Sequence, residues 1–444
     1  MIQGRAELSR FDLTMIVISL VIGMGIFRTP VDAAAGAQTP TIFFAAWLTA
    51  GLIALCGALT FAEIGSRYPV TGGYFRISSY AYHPSVGFAI TCIVVIANAA
   101  SLAGIALIGA AYLVPLVAPH STDPQAVARL FAAAALVVFF TLNLLGLRAS
   151  ARIQNLLTAI KLLLLCGLIS ALLFADPAPA QMPHGAPSYA HSPAPVDVIK
   201  AFGLALIATS FTYGGYQSTI NFGGEVRDAR RVIPQAIGVG IGVIIGLYLL
   251  VNLAYVQVLG FETLAHADSI AALLAGAAFG EQAATGVSVL LFLAVLGFVN
   301  VTMMTNPRLL LAMSEDGVLP AFIARRSPKT GAPTVALSLF VGLALISLFA
   351  ARTFDVILNY TMFLDSIGMA TTAATIFVLR RRQQGDEQTA YRLRLYPWIP
   401  LLFIASYLFI GASVAHEDPA AASRGIGIFA LFVLIGLAQH RARR

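Results

Sequence analysis

The stretch Gly23-Met24-Gly25-Ile26-Phe27 lies in the middle of the first apolar segment of the chain, which covers about residues 11–35. The segment is long enough to cross a bilayer core, which takes roughly 20 helical residues. Each of its two glycines disfavours helix by about 1 kcal/mol relative to alanine. An opened helix also exposes N–H and C=O groups, which is tolerated at membrane depth only where protein or a cavity covers them. The stretch therefore predicts a spanning helix that is interrupted to form a binding site from main-chain groups, as is typical of transporters.

The composition indicates an integral membrane protein. Hydrophobic residues make up 59% of the 444 residues and charged residues only 11%, whereas roughly 25% of a soluble domain is charged. We expect an all-α polytopic protein that forms one transmembrane domain over residues 1–444. The twelve predicted spans are about 11–35, 40–65, 85–117, 125–146, 150–174, 196–222, 233–260, 280–312, 333–351, 354–380, 396–414 and 424–440.

The positive charge of the chain is explained by membrane topology. The net charge is +7, and 21 of the 27 lysines and arginines fall in the termini and in alternate loops on one side of the predicted spans. Because cytoplasmic loops carry an excess of Lys and Arg, this pattern predicts that both termini are cytoplasmic. We therefore expect a lipid bilayer as the surroundings and no nucleic acid as a partner.

The sequence offers no pattern for catalysis, a metal or a cofactor. The three cysteines, Cys56, Cys92 and Cys166, lie in apolar spans, and the histidines lie in loops or at span ends. Neither arrangement is typical of a disulfide framework or a zinc site, and hydrolase motifs such as H-E-x-x-H and G-x-S-x-G are missing. We expect no catalytic residue, no metal, no cofactor and no enzymatic activity.

A second glycine break occurs in the sixth span, in Phe211-Thr212-Tyr213-Gly214-Gly215-Tyr216. An isolated glycine pair is explained as well by close helix packing. Breaks at corresponding places in two halves instead indicate the substrate site of a secondary transporter. We therefore predict a five-plus-five inverted repeat, with discontinuous helices 1 and 6, whose halves cover about 11–174 and 196–380. Helices 11 and 12, at about 396–440, lie outside the repeat.

Several motifs, in order along the chain, resemble those of L-type amino acid transporters in the amino acid–polyamine–organocation superfamily. They are Gly-x-Gly-Ile-Phe-x-Thr-Pro at 23–30, Ala-Glu-Ile-Gly at 62–65 with Tyr-Pro-Val-Thr-Gly-Gly-Tyr at 68–74, the sixth-span region 211–237, the segment 307–320 and Tyr-Arg-Leu-Arg-Leu-Tyr-Pro-Trp-Ile-Pro at 391–400. The chain departs from the family pattern at Met24 in place of Ser, at Arg28 in place of an apolar residue and at Tyr216 in place of Trp. These departures bear on the size and charge of the substrate.

The resemblance implies that the two breaks bind an amino acid zwitterion, neither charge of which can be buried unpaired at low cost. The N–H groups at the start of the second half-helix would bind the carboxylate, and carbonyls before the break and in the sixth span would bind the ammonium. Met24 should shrink the pocket. The substrate-binding residues implied in this way are Val21, Ile22, Gly23, Met24, Gly25, Ile26, Phe211, Tyr213 and Gly214.

Ionisable residues inside spans are functional candidates. The resemblance implies that the Lys161 ammonium occupies the place that a sodium ion takes in sodium-driven relatives. Asp365 lies in the middle of the tenth span, where pairing with Arg28 or Lys161 and proton exchange are both open. Arg28 is also placed to attract anions at the outer rim, and Tyr216 either lines the pocket or packs beside it.

We expect a sodium-independent permease for small or neutral L-amino acids that works by alternating access, as an exchanger or a proton symporter. An amine, polyamine or charged amino acid permease of the same fold is the alternative, and a receptor or membrane enzyme is a remote one. The composition, with 24 arginines and only 3 lysines, fits a GC-rich bacterial genome, so we expect a bacterial inner membrane. Eukaryotic relatives join a heavy chain through a cysteine between spans three and four, but residues 118–124 contain none. We therefore expect no disulfide-linked heavy chain, and a monomer or weak homo-oligomer.

Overall fold

The computed structural model describes residues 8–176, 195–267, 269–350, 354–383, 390–417 and 419–442. Within these ranges the chain is almost entirely helical and contains no β-strand. The α-helices are α1 (Arg10–Val21), α2 (Gly25–Ala37), α3 (Pro40–Arg67), α4 (Gly73–Ala81), α5 (Pro84–Ala111), α6 (Val114–Val117), α7 (Pro124–Asn143), α8 (Leu147–Phe174), α9 (Pro195–Thr212), α10 (Ala229–Ala254), α11 (Phe261–Ala265), α12 (Ile270–Phe279), α13 (Glu281–Thr305), α14 (Pro307–Glu315), α15 (Thr334–Ala350), α16 (Phe354–Arg381), α17 (Trp398–Glu417) and α18 (Pro419–Ala442). Short 3₁₀ segments occupy Tyr216–Asn221, Gly223–Glu225 and Ala321–Ala324, and α10 continues as a π-helix over Tyr255–Leu259.

The structure confirms the predicted polytopic, all-helical architecture. In the part of the chain that it describes, ten helical segments are long and apolar enough to cross a membrane. The two remaining predicted spans are α9, which ends at the second break, and the 17-residue apolar helix α15. The exposed faces of the bundle carry large apolar side chains, for example Leu163 and Leu173 of α8. These faces suit contact with lipid, since backbone polar groups are satisfied within the helices.

Three helices were not predicted from the sequence. They are α4, between the second and third spans, and the pair α11 and α12, between the seventh and eighth. None of the three is longer than ten residues, so none can cross a bilayer, and a search for spans passes over them.

The half-helices α1 and α2 occupy the interior of the bundle. Helix α1 packs against α8, α10 and α13, while α2 packs against α9. Ser9 caps α1: its hydroxyl accepts a hydrogen bond from the Asp12 N–H, and the Asp12 carboxylate accepts one from the Ser9 N–H. This reciprocal capping box fixes the start of α1, so its end at Val21 comes at a defined depth inside the bundle.

Candidate functional site

The first break separates α1 from α2 over residues 22–24. The Gly23 N–H turns back and donates to the Val21 carbonyl at 2.8 Å. Met24 is the N-cap of α2 and provides no side-chain cap. The N–H groups of Gly25 and Ile26 have no acceptor among the described residues, because the first N–H groups of a helix lack an intrahelical partner. The start of α2 therefore presents N–H donors and the positive end of a helix dipole.

The second break begins where α9 ends at Thr212. Gly215 has φ +116°, a conformation that L side chains rarely adopt. Its N–H donates to the Gln217 side-chain oxygen at 2.8 Å, and a 3₁₀ segment starts at Tyr216. The backbone thus leaves the helix at Tyr213 and resumes a tighter helix three residues later.

The two breaks fit directly against each other. A Cβ atom on Gly215 would lie 2.3 Å from the Leu20 carbonyl oxygen, and one on Gly25 would lie 2.8 Å from Thr212 Cγ2. Each break therefore needs a glycine at the point where the other approaches. Tyr248 of α10 adds a hydrogen bond from its hydroxyl to the Val21 carbonyl at 3.1 Å.

A cavity of about 110 Å³ lies where the breaks meet. This volume holds several water molecules or a small polar solute, since one water needs roughly 10–15 Å³ by the same measure. Five of the predicted substrate-binding residues line it, namely Val21, Gly23, Met24, Gly25 and Gly214, and so does Asp365.

Three other predicted residues, Ile22, Ile26 and Tyr213, lie outside the described lining of this cavity. Ile22 and Ile26 are buried in the core. Tyr213 packs against Trp47 and Tyr248, with ring centroids 5.8 and 5.1 Å away. The Phe211 backbone belongs to α9, whereas its side chain lies outside the described part of the structure. The roles predicted for these residues stay predictions.

Two further candidates, Tyr216 and Arg28, also lie away from the described cavity lining. Tyr216 is buried and meets Phe61 edge-on at 6.3 Å between ring centroids. Arg28 is exposed on α2 and is an electrostatic neighbour of Tyr112. Asp365 therefore lines the cavity at the breaks, whereas Arg28 is not part of the described lining of that cavity.

Lys161 of α8 is buried at the end of α1. Its Nζ donates to the Ser19 hydroxyl at 2.8 Å, the Ser19 carbonyl at 3.3 Å and the Ile22 carbonyl at 2.7 Å. Three acceptors match the three N–H groups of an ammonium, and the C-terminal end of a helix favours a cation. A Cβ atom on Gly297 of α13 would lie only 2.7 Å from Lys161 Cε. Lys161 thus fills the space between α1 and α13 rather than pairing with Asp365.

The sequence analysis missed several polar residues of the cavity. They are Asn98, Ser101, Ser210, Thr212, Ser218, Thr302, Asn306 and Tyr407. The Asn98 side-chain amide donates to the Asn306 side-chain oxygen at 2.7 Å and so links α5 to the C-cap of α13. An asparagine within an apolar span is a usable signal, and Asn98 carries that signal within the third span.

Ion pairs join the helices at the end of the bundle where residues 8 and 225 meet. The Glu63 carboxylate contacts Arg67 at 2.6 Å and Arg380 at 2.7 Å. Arg308 contacts Glu225 at 2.6 Å, and Arg76 reaches both Glu315 and Asp316 at 2.9 Å. Glu63, Glu225, Arg308 and Asp316 therefore all take part in ion pairs at this end of the bundle.

The environment of Arg76 favours its charged form. Partial burial disfavours the charge, but the Asp316 and Glu315 carboxylates outweigh burial and raise the pKa of Arg76 above its ordinary value. A second cavity, of about 760 Å³, lies in this region, and its lining includes Glu225 and Arg308. Opening the bundle at this end would have to separate these charges.

Comparison with known proteins places this architecture in a family. The family profile described as amino acid permease matches residues 8–437. The chain belongs to the amino acid permease family. This permease is 28% identical over 441 residues to the serine/threonine exchanger SteT of Bacillus subtilis, an alignment that covers 97% of this chain and 96% of the relative.

Mammalian relatives are also similar over almost the whole length of this chain. This permease is 27% identical to the large neutral amino acids transporter small subunit 2 of Mus musculus, with 96% of this chain and 79% of the relative covered. It is 24% identical to the Asc-type amino acid transporter 1 of the same species, with 98% and 80% covered. The family and these relatives confirm the prediction that the chain is an L-type amino acid transporter-like permease of the amino acid–polyamine–organocation superfamily. They also support a multi-pass membrane protein.

Proposed function

We propose that this permease is a secondary active transporter that carries L-amino acids across a bacterial inner membrane by alternating access, with both termini cytoplasmic. The observation that carries the proposal is the meeting of two interrupted helices at one cavity. There the start of α2 presents N–H donors from Gly25, and the second break contributes Gly214. Such a site suits the carboxylate and ammonium of a free amino acid.

The backbone cage determines how the zwitterion is oriented. The carboxylate would lie at the N-terminus of α2 and the ammonium near carbonyls of the breaks. The Val21 carbonyl already accepts from Gly23 and Tyr248, and the Ile22 carbonyl accepts from Lys161. The ammonium must therefore share the Val21 carbonyl with these donors or use carbonyls of the second break.

The proposed transport does not use sodium. Lys161 places an ammonium against the carbonyls of Ser19 and Ile22 at the C-terminal end of α1. A fixed cation here supplies the charge that a bound metal ion would supply, and the two cannot occupy the same space. The halves of the chain, about 11–174 and 196–380, would move relative to each other as inverted repeats around this point.

The proposal is tested by counterflow. Proteoliposomes are loaded with unlabelled L-amino acids, and uptake of labelled amino acid is measured in sodium and in choline buffers, with and without a pH gradient. We expect uptake that is equal in the two buffers. Dependence on internal amino acid indicates exchange, and stimulation by an inward proton gradient indicates symport. Sodium-stimulated uptake would contradict the role of Lys161, and absence of uptake or binding of any amino acid would support a receptor or enzyme instead.

A further inference from the structure

Asp365 is the only strongly acidic or basic residue in the described lining of the central cavity. It lies on α16, which packs against α3, α4, α5, α17 and α18. The remaining lining consists of glycines, apolar side chains, hydroxyls and amides. The cavity therefore combines two backbone breaks, which suit the two charges of a zwitterion, with one additional carboxylate.

No cation of the described protein balances the Asp365 carboxylate. Asp365 forms no salt bridge within the described residues, and Lys161 directs its N–H groups to Ser19 and Ile22. Its electrostatic neighbours are the phenols of Tyr74, Tyr216 and Tyr407, which carry no positive charge. An uncompensated carboxylate at membrane depth is costly, so a ligand that brings a positive charge would be favoured there.

Other parts of the lining also favour a polar ligand. The hydroxyls of Ser210 and Thr212 are buried and have no hydrogen-bond partner among the described residues. Both residues line the cavity. A purely apolar side chain would leave these hydroxyls and the carboxylate unsatisfied, and each buried unsatisfied group has a free-energy cost.

We propose that the Asp365 carboxylate binds a positive charge on the side chain of the transported substrate, so that the preferred substrates are L-amino acids with a short cationic side chain. The inference rests on the proposed function, because the two breaks must bind the α-carboxylate and α-ammonium for Asp365 to meet the side chain. Met24 lines the same cavity of about 110 Å³, which limits the length of that side chain. The neutral substrates expected from the sequence would then bind more weakly.

The experiment compares substrates of equal size that differ in one charge. Stabilisation of the purified full-length protein against heat and competition in counterflow are measured for L-ornithine against L-norleucine, and for L-2,4-diaminobutyrate against L-norvaline. The variants are Asp365→Asn and the matched control Asp123→Asn. Asp123 caps α7 at a loop, and asparagine caps helices as well as aspartate does. Putrescine, which lacks the α-carboxylate, is added as a further competitor.

We expect the wild type and Asp123→Asn to bind each cationic amino acid at least about tenfold more tightly than its neutral partner, and Asp365→Asn to lose that preference. Equal affinities for the paired compounds in the wild type overturn the proposal even if Asp365→Asn does not fold. The proposal is also overturned if a folded Asp365→Asn retains the preference for the cationic compounds. This includes the case in which the variant loses only the stimulation of uptake by a proton gradient. If putrescine competes as well as ornithine while Asp365→Asn removes both, the role of Asp365 stands and the zwitterion site fails. If no amino acid binds, the proposed function fails.

Discussion

The Tyr248 hydroxyl donates a hydrogen bond to the Val21 carbonyl at 3.1 Å, and the Thr212 carbonyl oxygen lies 3.5 Å from the Tyr248 hydroxyl oxygen. Val21 is the last residue of α1, and Thr212 is the last residue of α9. One side chain of α10 thus lies at the last residue of both interrupted helices, where carbonyls lack intrahelical partners. Tyr248 therefore contributes to the position of both breaks.

The substitution Tyr248→Phe should destabilise the protein by about 0.5–1.5 kcal/mol, because it removes the donor to Val21 and leaves a buried carbonyl with one partner fewer. Thermal unfolding in detergent measures the change. The matched control is Tyr255→Phe, since the Tyr255 hydroxyl is also buried but has no partner within the described structure. Equal unfolding temperatures for the two variants would show that the Tyr248 hydrogen bond contributes nothing to stability.

Gly215 is the residue at which substitution should be least tolerated. In Gly215→Ala the new Cβ would be placed 2.3 Å from the Leu20 carbonyl oxygen, at φ +116°. The breaks must then separate, and we expect loss of uptake together with a lower yield of monodisperse protein. Size-exclusion chromatography and counterflow measure the two effects.

Gly203→Ala provides the control, because a Cβ at Gly203 of α9 would meet nothing within 4 Å. Alanine should be neutral or slightly favourable there, since it is a better helix former than glycine. Normal uptake by Gly215→Ala would mean that the two breaks do not need to approach as closely as they do in this structure.

Much of the fold was predictable from the sequence because the signals are local. Spans are marked by apolar length, and the breaks are marked by glycines within them. The partners of the breaks were not predictable. Nothing in the sequence around Tyr248 or Asn306 indicates which helix faces it, because that depends on how the spans pack. Helix α12 was missed for a different reason: ten apolar residues fit neither a span nor a polar loop.

Replacement of Lys161 should strongly reduce transport. In Lys161→Met the carbonyls of Ser19 and Ile22 lose a donor that no apolar side chain replaces, and the free energy of leaving such groups unpaired is about 1–3 kcal/mol each. We expect uptake to fall at least about tenfold in counterflow. Lys200→Met is the control, since Lys200 is exposed near the start of α9.

A second substitution tests whether transport depends on the position of the Lys161 ammonium and not only on its presence. Gly297→Ala keeps the lysine but introduces a Cβ 2.7 Å from Lys161 Cε, whereas Gly286→Ala on the same helix meets nothing within 4 Å. We expect reduced uptake from the first variant and normal uptake from the second. Full activity in both Lys161→Met and Gly297→Ala would remove the argument for a fixed cation at the end of α1.

The Glu225–Arg308 pair should favour the conformation in which its end of the bundle is closed. The Arg308 Nε donates to the Glu225 carboxylate at 2.6 Å, and its guanidinium lies 4.5 Å from the centroid of the Phe222 ring. Removing the charge in Glu225→Gln should shift the equilibrium towards opening by about 1–3 kcal/mol, a range between the values typical of exposed and buried pairs. We expect access to the central cavity from this end to increase.

The increase is measured with a cysteine at Ser218, which lines the central cavity, after the three native cysteines have been replaced. A membrane-impermeant thiol reagent is applied from the side of Glu225, and its reaction rate should rise at least threefold in Glu225→Gln, since about 0.65 kcal/mol already changes a population ratio threefold. The exchange of charges in Glu225→Arg with Arg308→Glu should restore the slow rate, and Glu262→Gln, an exposed carboxylate in α11, should not alter it. An unchanged rate in Glu225→Gln would mean that this pair does not contribute to closure, and that the ion pairs of Glu63 and Arg76 are sufficient to hold this end together.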